Sequence, residues 1–343
     1  MSVTGDERFE REVGVELLVE TARLWRSLGH HDDRGAFHID GVTGPDEYSA
    51  IADDNTYTNL MARANLLAAA DACKRHPDEA ARLGADEEES AAWRDAAEAM
   101  HVPYNDELGV HEQHAGFTRY QRWDFARTGP DQYPLMLHFP YFDLYRKQVI
   151  KQADLVLAMY TCGSFFEEFF DEEQIARNFA YYEPLTVRDS SLSACVQAVM
   201  AARAGHLDLA YAYTAEAALM DLGDLEHNTR DGLHIASLAG TWMALVAGFG
   251  GMRCADGTLR FAPRLPERFS RLAFTVGFLG RCLRVELTAD RATYTLSSGP
   301  PLTLHHHGTE LTVSEGAPVD RPIPSLTQRP APSQPPHRAP NAR

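Results

Sequence analysis

The sequence predicts a mainly α-helical protein that ends in a small antiparallel β domain. Between about residues 9 and 249, apolar residues recur every three or four positions, which is the period of an amphipathic helix. From about Leu259 the pattern changes to short runs of alternating apolar and polar residues, separated by Gly or Pro turns. Beyond Glu315, prolines and polar residues dominate, and such a composition buries too little apolar surface to offset chain entropy. We therefore expect a disordered tail.

These periods define the expected elements and domain bounds. The helical period is clearest in Val13–Leu28, Tyr57–Cys73, Leu144–Met159, Leu192–Ala202 and Leu207–Met220. Strict alternation predicts strands at Leu272–Phe278, Cys282–Thr288, Ala292–Ser297 and Leu302–His305. The sequence thus predicts a helical domain over residues 1–252, a β domain over 253–315 and a proline-rich tail over 316–343.

Composition narrows the class of protein. The net charge of -17, from 32 Lys and Arg against 49 Asp and Glu, argues against binding nucleic acid or an anionic membrane surface. We found no run of the roughly 18 apolar residues that a bilayer span needs, and the polar start lacks the regions of a signal peptide. Five widely spaced cysteines are typical of buried thiols in a reducing compartment. We therefore expect a cytoplasmic protein. We also expect no metal site, because the adjacent side chains of His30–Asp33, the segment most similar in composition to a metal cluster, diverge.

The segment Gly41–Tyr48, with sequence GVTGPDEY, contains the first candidate catalytic residue. Its glycines and proline favour a tight, fixed turn that presents Asp46 and Glu47 from a loop. Carboxylates at Asp40, Asp46 and Asp53 would raise the proton affinity of Glu47 toward that of a general acid. On pattern alone, the favoured interpretation is a turn that caps the helix starting near Asp53 or Asp54.

This segment resembles the Gly-Pro-Asp-Glu-Tyr signature of the trehalose, maltose and kojibiose phosphorylases, glycoside hydrolase family 65. Further segments resemble that family's blocks in the same order, namely Tyr141–Asp154, Tyr181–Ser193 and Gly232–Trp242. The resemblance implies a β-sandwich, a linker, an (α/α)6 barrel and a small β domain. This chain resembles only the later part, so the resemblance implies a partial (α/α)6 toroid-like barrel followed by the β domain.

The resemblance also implies a role for each candidate residue. Glu47 matches the proton donor, and Lys151 with Gln152 matches the pair that holds glucosyl hydroxyls. Arg188 and Ser190 lie in the block that holds phosphate, and His234 and Ser237 lie in another segment that lines the pocket. Arg188 stands where many relatives carry histidine, and it would keep the positive charge and add a bidentate fork.

Each candidate also has an ordinary structural interpretation. Lys151 belongs to a basic run typical of a solvated helix face, and Asp154 lies at helical distance to pair with it. Asp189 or Ser190 suits the cap of a helix over Ser191–Ala202, with Arg188 paired to a surface acid. His234 suits a buried, hydrogen-bonded histidine.

These residues lead to competing hypotheses of function. The first is an inverting disaccharide phosphorylase that releases β-glucose 1-phosphate, with inorganic phosphate as co-substrate and no metal or organic cofactor. The second is a trehalase-like inverting hydrolase, which needs a second carboxylate as base, with Glu183 and Asp189 as candidates. The third is an inactive barrel fragment or a carbohydrate-binding remnant. The resemblance further implies a homodimer, or a partner that supplies the missing N-terminal half, and it leaves the disaccharide and its linkage open.

Overall fold

The computed structural model describes residues 3–163, 166–255, 257–326 and 329–340. The chain folds into two compact units, one over Asp6–Phe166 and the other over Glu167–Arg343 together with Ser2–Gly5. The first unit is mainly helical, and the second combines helices with the larger sheets. This content agrees with the predicted class of helices followed by a small β domain. The predicted bounds of the three domains remain a prediction.

The helices of the first unit are α1 Glu7–Phe9, α2 Val15–Leu28, α3 Thr56–Arg75, α4 Pro77–Arg82, α5 Glu87–Glu98, α6 Tyr141–Leu144 and α7 Asp154–Thr161. Side chains of α2 to α5, including Val19, Leu66 and Trp93, contribute to a shared apolar core. The strands of this unit are short pairs, β1 His30–His31 with β2 Phe37–His38, β3 Tyr104–Asn105 with β4 Val110–His111, and β5 Gln121–Arg122 with β6 Lys147–Gln148. Helix α3 begins where the Asn55 side chain accepts the main-chain N–H of Thr58, which is a standard N-cap.

The predicted continuous helix over Leu144–Met159 is wrong. The structure has the short helix α6, the strand β6 and then helix α7, so Lys151 and Gln152 lie in a loop before α7. The physical reason is a long-range hydrogen bond. The main-chain N–H of Lys151 donates to the Asp46 carboxylate at 2.8 Å, which takes the place of the bond that a helix would provide.

The helical part of the second unit contains α8 Glu172–Tyr182, α9 Ser193–Ala204, α10 Leu207–Leu219 and α11 Ile235–Met243. Tyr213 of α10 and Ala198 of α9 belong to the same buried cluster. Helix α9 starts at Ser193, slightly after the predicted start, because the turn Ser190–Ser193 is closed by the Ser193 N–H bond to the Ser190 carbonyl at 3.0 Å. A π-helical turn, Ala244–Phe249, continues α11.

The β part of the second unit is made of two four-stranded sheets that share one apolar core. The strands are β7 Arg253–Ala255, β8 Thr258–Phe261, β9 Leu272–Phe278, β10 Arg281–Leu287, β11 Arg291–Ser298, β12 Leu302–His306, β13 Thr309–Val313 and β14 Val319–Pro322. One sheet has the order β14-β11-β10-β9 and is antiparallel throughout. The other has the order β13-β12-β8-β7, in which β12 pairs with β8 in parallel, so this domain is not purely antiparallel as predicted.

Two further observations concern the predicted tail and the helix surfaces. Strand β14 lies within the segment predicted to be disordered, where it pairs with β11 from Tyr294↔Val319 to Arg291↔Pro322. Apolar side chains of α11 and the loop before it are exposed, including Leu233, Ile235 and Trp242. Among the described helices, we find none that is both long and apolar enough to cross a bilayer.

Candidate active site

The loop that carries Glu47 is closed at its base by main-chain hydrogen bonds. Val42 and Ala52 form an antiparallel bridge, with N–H to O distances of 3.0 and 2.8 Å. Gly41 has a φ of 67°, in the left-handed region that glycine tolerates, and its N–H donates to the Asp53 carboxylate at 3.0 Å. The loop is therefore a fixed turn rather than an extension of helix α3.

The side chain of Asp46 points into the protein and ties the loop to more distant segments. Its carboxylate, fully buried, accepts the main-chain N–H of Lys151 at 2.8 Å and the amide of Gln113 at 2.8 Å. The hydroxyl of Ser49 also donates to it, at 3.3 Å. Burial raises the pKa of Asp46 to about 6, although the hydrogen bonds from Lys151 and Gln113 oppose the rise.

Asp154, the first residue of α7, also binds the loop that carries Glu47. It is fully buried, and its carboxylate accepts the Asp46 N–H at 2.6 Å and the Asn55 amide at 2.8 Å. Burial and the nearby Asp46 charge hold the pKa of Asp154 well above its usual range. Gly44 is needed beside it, because an added Cβ would lie 2.2 Å from the Asp154 Oδ2. The sequence-based pairing of Asp154 with Lys151 is absent among the described contacts.

Glu47 points the other way, toward solvent, with 58% of its side chain exposed. The ammonium group of Lys151, whose side chain is only 13% exposed, pairs with its carboxylate. The amide of Gln152 donates to the carbonyl of Pro45 in the same loop. The structure thus brings Glu47, Lys151 and Gln152 together. It corrects the expected surroundings of Glu47, since the neighbouring Asp46 carboxylate faces the interior and the charged partner at Glu47 is a cation.

The candidate anion-binding residues lie in the second unit, and the central one is Arg188. It is 4% exposed and has a φ of 56°, which is a strained conformation for a side chain larger than glycine. Its guanidinium pairs with Glu216 at 3.2 Å and lies 4.9 Å from the centre of the Tyr213 ring. Burial lowers the pKa of Arg188, but Tyr213 and Glu216 more than compensate, so the net shift is upward.

The other candidates of this unit have mainly structural contacts. The Ser190 hydroxyl accepts the main-chain N–H of Leu192 at 3.3 Å, just before α9. The imidazole Nδ1 of His234 lies 2.7 Å from the Asp221 carboxylate, at the start of α11. Ser237 is fully buried, and its hydroxyl donates to the carbonyl of Ala217 at 3.4 Å. The structure therefore places Ser237 inside the helix packing.

A cavity of about 460 Å³ opens beside Arg188. Its polar lining comes from Arg188, Glu216, Glu226, His337 and Arg338, and its apolar lining from residues of α10 and the following loop. Burial raises the pKa of Glu226, which lies close enough to Arg338 and Asp189 to feel both charges. A cavity of this size accommodates a small polar ligand.

The described residues do not bring together three or more His, Cys, Asp or Glu side chains in an arrangement that holds a metal ion. His31 pairs with Asp95, and His38 lies 2.8 Å from Asp54 in the first unit. His31 belongs to β1 and His38 to β2, and their partners lie in α5 and just before α3, respectively.

Two known family profiles match the chain. The profile of the glycosyl hydrolase family 65 central catalytic domain matches residues 1–243, and that of the family's C-terminal domain matches residues 252–313. The chain belongs to glycosyl hydrolase family 65. The resemblance inferred from the four sequence segments is thereby confirmed.

Curated relatives agree with this family 65 membership. The chain is 54% identical over 347 residues to an uncharacterized glycosyl hydrolase of Mycobacterium leprae (strain TN), covering 99% of this chain and 43% of that protein. It is 43% identical over 326 residues to the α,α-trehalose phosphorylase of Geobacillus stearothermophilus, covering 93% of this chain and 42% of the enzyme. The chain thus spans about two-fifths of the length of these relatives.

A solved family 65 relative has a similar fold. A solved structure described as a "putative kojibiose phosphorylase from human microbiome" superimposes with a TM-score of 0.85 at 27% identity. The match covers 96% of this chain and 48% of that structure. The mixed helical and β architecture is therefore that of a family 65 phosphorylase, and the closed (α/α)6 barrel remains a prediction.

Motif analysis missed the buried polar residues that support the Glu47 loop. Gln113, Asn55 and Asp154 fix the position of Asp46, and Asp154 lies far from that loop along the chain. Asn55 carried a local signal, since it follows two aspartates at a predicted helix start. Gln113 carried none, because it lies in an irregular segment with no clear period.

Proposed function

We propose that this chain carries the catalytic acid of an inverting disaccharide phosphorylase of family 65, acting on an α-glucosyl disaccharide of the trehalose, maltose or kojibiose type. The observation that supports it is the contact between Glu47 and Lys151. These residues come from two separate segments that resemble the family's proton donor and its sugar-holding pair. Their contact at the surface of a buried polar scaffold suits a shared site for one sugar.

The proposed reaction exchanges one bond at the anomeric carbon. A phosphate oxygen attacks this carbon from the face opposite the leaving sugar, while the bond to the glycosidic oxygen breaks. Glu47 gives its proton to that oxygen, so β-glucose 1-phosphate and glucose leave and Glu47 becomes a carboxylate that solvent reprotonates. Inorganic phosphate is the co-substrate, and the reaction needs no other cofactor.

Lys151 has two positions in this proposal. In the ligand-free structure its ammonium pairs with Glu47. A bound disaccharide offers hydroxyl groups within reach, and Lys151 and Gln152 turn toward them, which frees the Glu47 carboxyl to hold its proton. Arg188 and Ser190 remain the proposed phosphate ligands, His234 is a further proposed ligand that pairs with Asp221 in the ligand-free structure, and Ser237 has a packing role.

The whole activity is a proposal because the chain spans only part of the length of its relatives. A second copy of this chain, forming a homodimer, is the proposed partner. The exposed apolar side chains Ile235 and Trp242 support such an association, because burying them removes apolar surface from water.

The test measures products from this chain with trehalose, maltose and kojibiose, each with and without inorganic phosphate. We expect glucose and β-glucose 1-phosphate in equal amounts, and only with phosphate. Glucose released without phosphate would instead assign a hydrolase. A cooperatively folded chain that releases neither product would assign an inactive fragment or a carbohydrate-binding remnant.

A matched pair of variants tests the proton donor. Glu47→Gln should lower turnover by about 10²–10⁴-fold, the usual contribution of a general acid. Glu107→Gln, at an exposed glutamate of the same unit, is the control and should leave turnover unchanged. With α-glucosyl fluoride, whose leaving group needs no proton, Glu47→Gln should lose much less activity. An equal loss on both substrates would reject Glu47 as the acid.

A further inference from the structure

The proline-rich tail contacts the loop that contains the candidate phosphate ligands, through Arg338. The guanidinium Nε of Arg338 donates to the carbonyl of Val187 at 2.5 Å, and its Nη2 donates to the carbonyl of Arg188 at 2.9 Å. The same group lies 3.3 Å from the carboxylate of Asp189. In return, the guanidinium of Arg188 donates to the carbonyl of Arg338. One side chain thus contacts three consecutive residues of the loop.

The loop needs such a partner for two physical reasons. Arg188 holds a positive φ of 56°, a conformation that costs on the order of 1 kcal/mol or more for a residue with a Cβ. Val187, Arg188 and Asp189 are also buried, and buried carbonyl groups outside helices and sheets must find other donors. The planar fork of arginine supplies several donors in fixed directions, which suits two neighbouring carbonyls and a carboxylate.

Further contacts hold the tail in place. The amide of Gln334 donates to the buried carboxylate of Glu183 at 3.1 Å. Earlier in the tail, Arg329 pairs with Glu173 of α8 at 2.7 Å. The intervening prolines restrict the chain to extended conformations, so little additional entropy is lost when it docks.

We infer that Arg338 is the positioning residue for the loop 187–190, and that it thereby prepares Arg188 and Ser190 to bind phosphate. The second half of this inference rests on the proposed function. Arg338 bonds to carbonyl and carboxylate oxygens of the loop. Phosphate uses the opposite kind of group, namely hydroxyl, N–H and guanidinium donors. The tail occupies one donor of this kind, because the Arg188 Nη2 donates to the carbonyl of Arg338, so phosphate must bind through other donors of the loop.

The charges around the cavity beside Arg188 favour a tail that supports phosphate binding over a tail that competes with phosphate. The cavity beside Arg188 is lined by the carboxylates of Glu216 and Glu226, and Arg338 adds a second guanidinium to it. Removing Arg338 leaves more negative than positive charge around the cavity, which repels an anion. Loss of Arg338 should therefore weaken phosphate binding.

The test compares the full chain with Arg338→Gln, Arg338→Lys and Arg329→Gln. Arg329 is the matched control, because it is the same residue type in the same tail but pairs with Glu173. Hydrogen exchange followed by mass spectrometry reports on the amides of residues 187–190. We expect Arg338→Gln to exchange at least about tenfold faster there, with helix α10 unchanged, since a lost charge-assisted hydrogen bond loosens mainly its own loop. Arg329→Gln should match the wild type at 187–190.

Arg338→Lys keeps the positive charge near Asp189 but lacks the planar fork of donors. The amides of residues 187–190 in Arg338→Lys should therefore exchange at a rate closer to that of Arg338→Gln than to that of the wild type. Equal protection in Arg338→Gln and the wild type would overturn the inference, and so would full protection in Arg338→Lys, because charge alone would then suffice.

Phosphate titration of the same proteins separates the inference from the proposed function. We expect the dissociation constant for inorganic phosphate to rise about tenfold in Arg338→Gln, in line with a lost charge-assisted contact. Tighter phosphate binding in that variant would make the tail a competitor and overturn the inference. If the wild type binds no phosphate while the loop still loosens in Arg338→Gln, the positioning role stands and the phosphate role of Arg188 and Ser190 fails.

Discussion

The main-chain N–H of Asp46 donates to the carboxylate of Asp154 at 2.6 Å, and both carboxyl groups are fully buried. Two acids in so little space would repel each other if both were ionised. Hydrogen bonds from Gln113, Asn55 and the main chain of Lys151 stabilise the arrangement. The exposed Glu47 thus follows directly after a residue whose position is fixed from several sides.

The first prediction concerns Gly44. An added methyl group would lie 2.2 Å from the Asp154 Oδ2 and 2.6 Å from the Asn55 amide nitrogen, so Gly44→Ala must displace one of them. We expect a loss of about 1–3 kcal/mol in the free energy of unfolding, as for other overpacked sites. Urea unfolding followed by tryptophan fluorescence measures it. Gly277→Ala, where an added Cβ meets nothing within 4 Å, is the control. Equal stability of the two variants would contradict the tight packing at Gly44.

The second prediction concerns the pH dependence of stability. Burial raises the pKa of Asp46 to about 6 and that of Asp154 well above 3.8, so the folded state binds protons that the unfolded state has released. This stabilisation is fully present below the ordinary value of 3.8 and is lost as pH rises through about 6. For Asp46 it amounts to on the order of 2–3 kcal/mol.

Urea unfolding between pH 4 and 7.5 provides the measurement, at about equal steps of pH. Asp154→Asn removes one charge of the pair and should make the fall in stability shallower, whatever its effect at a single pH. A wild type and variant with the same pH slope would show that the two carboxyl groups do not interact.

The third prediction separates two lysines of one segment. Lys151→Met should raise the KM for the disaccharide by about tenfold or more, because a charge-assisted hydrogen bond to a sugar hydroxyl contributes about 1.5–3 kcal/mol. Lys147→Met is the control, since Lys147 contacts the neutral amide of Gln121. Steady-state kinetics with saturating phosphate gives the KM for the disaccharide in each of the two variants. A larger effect at Lys147 than at Lys151 would move the sugar-binding role away from the Glu47 loop.

The fourth prediction concerns the buried Tyr213. Its hydroxyl donates to Glu183, and it accepts from Arg188 at 3.4 Å. Tyr213→Phe leaves the buried carboxyl without this donor and should lower the free energy of unfolding by about 1–3 kcal/mol. Tyr211→Phe, on the same helix with its ring 5.4 Å from Phe269, is the control and should change stability by less than about 0.5 kcal/mol. Similar losses in both variants would show that the bond from the Tyr213 hydroxyl to Glu183 contributes no more to stability than the hydroxyl of Tyr211 does.

The sequence was sufficient to predict elements whose apolar pattern is local. Helices α2, α3 and α10 and strands β9 to β12 lie close to their expected bounds, because each buries a face that its own period specifies. Family 65 membership also followed from short segments that keep their order. The placement of Glu47 on a fixed loop depended on glycine and proline, which act locally.

The sequence could not predict features that depend on long-range polar contacts. The Asp46 carboxylate accepts the N–H of Lys151, which starts helix α7 later than periodicity indicates. Composition likewise predicted a disordered tail, because it counts apolar area and not hydrogen bonds such as those from Arg338 and Gln334. Neither kind of contact produces a pattern that can be recognised within a short stretch of sequence.

The parallel pairing of β8 with β12 has a consequence for the order of folding. Strands β7 and β8 are neighbours along the chain, as are β12 and β13, so each pair can form early in folding as an antiparallel hairpin. Within the sheet, the two hairpins meet at the central parallel pair of β8 with β12, and strands β9 to β11 lie between them in sequence. Because distant partners must wait for the intervening chain to collapse, we expect this central pair to be the last part of the β region to acquire protection during refolding.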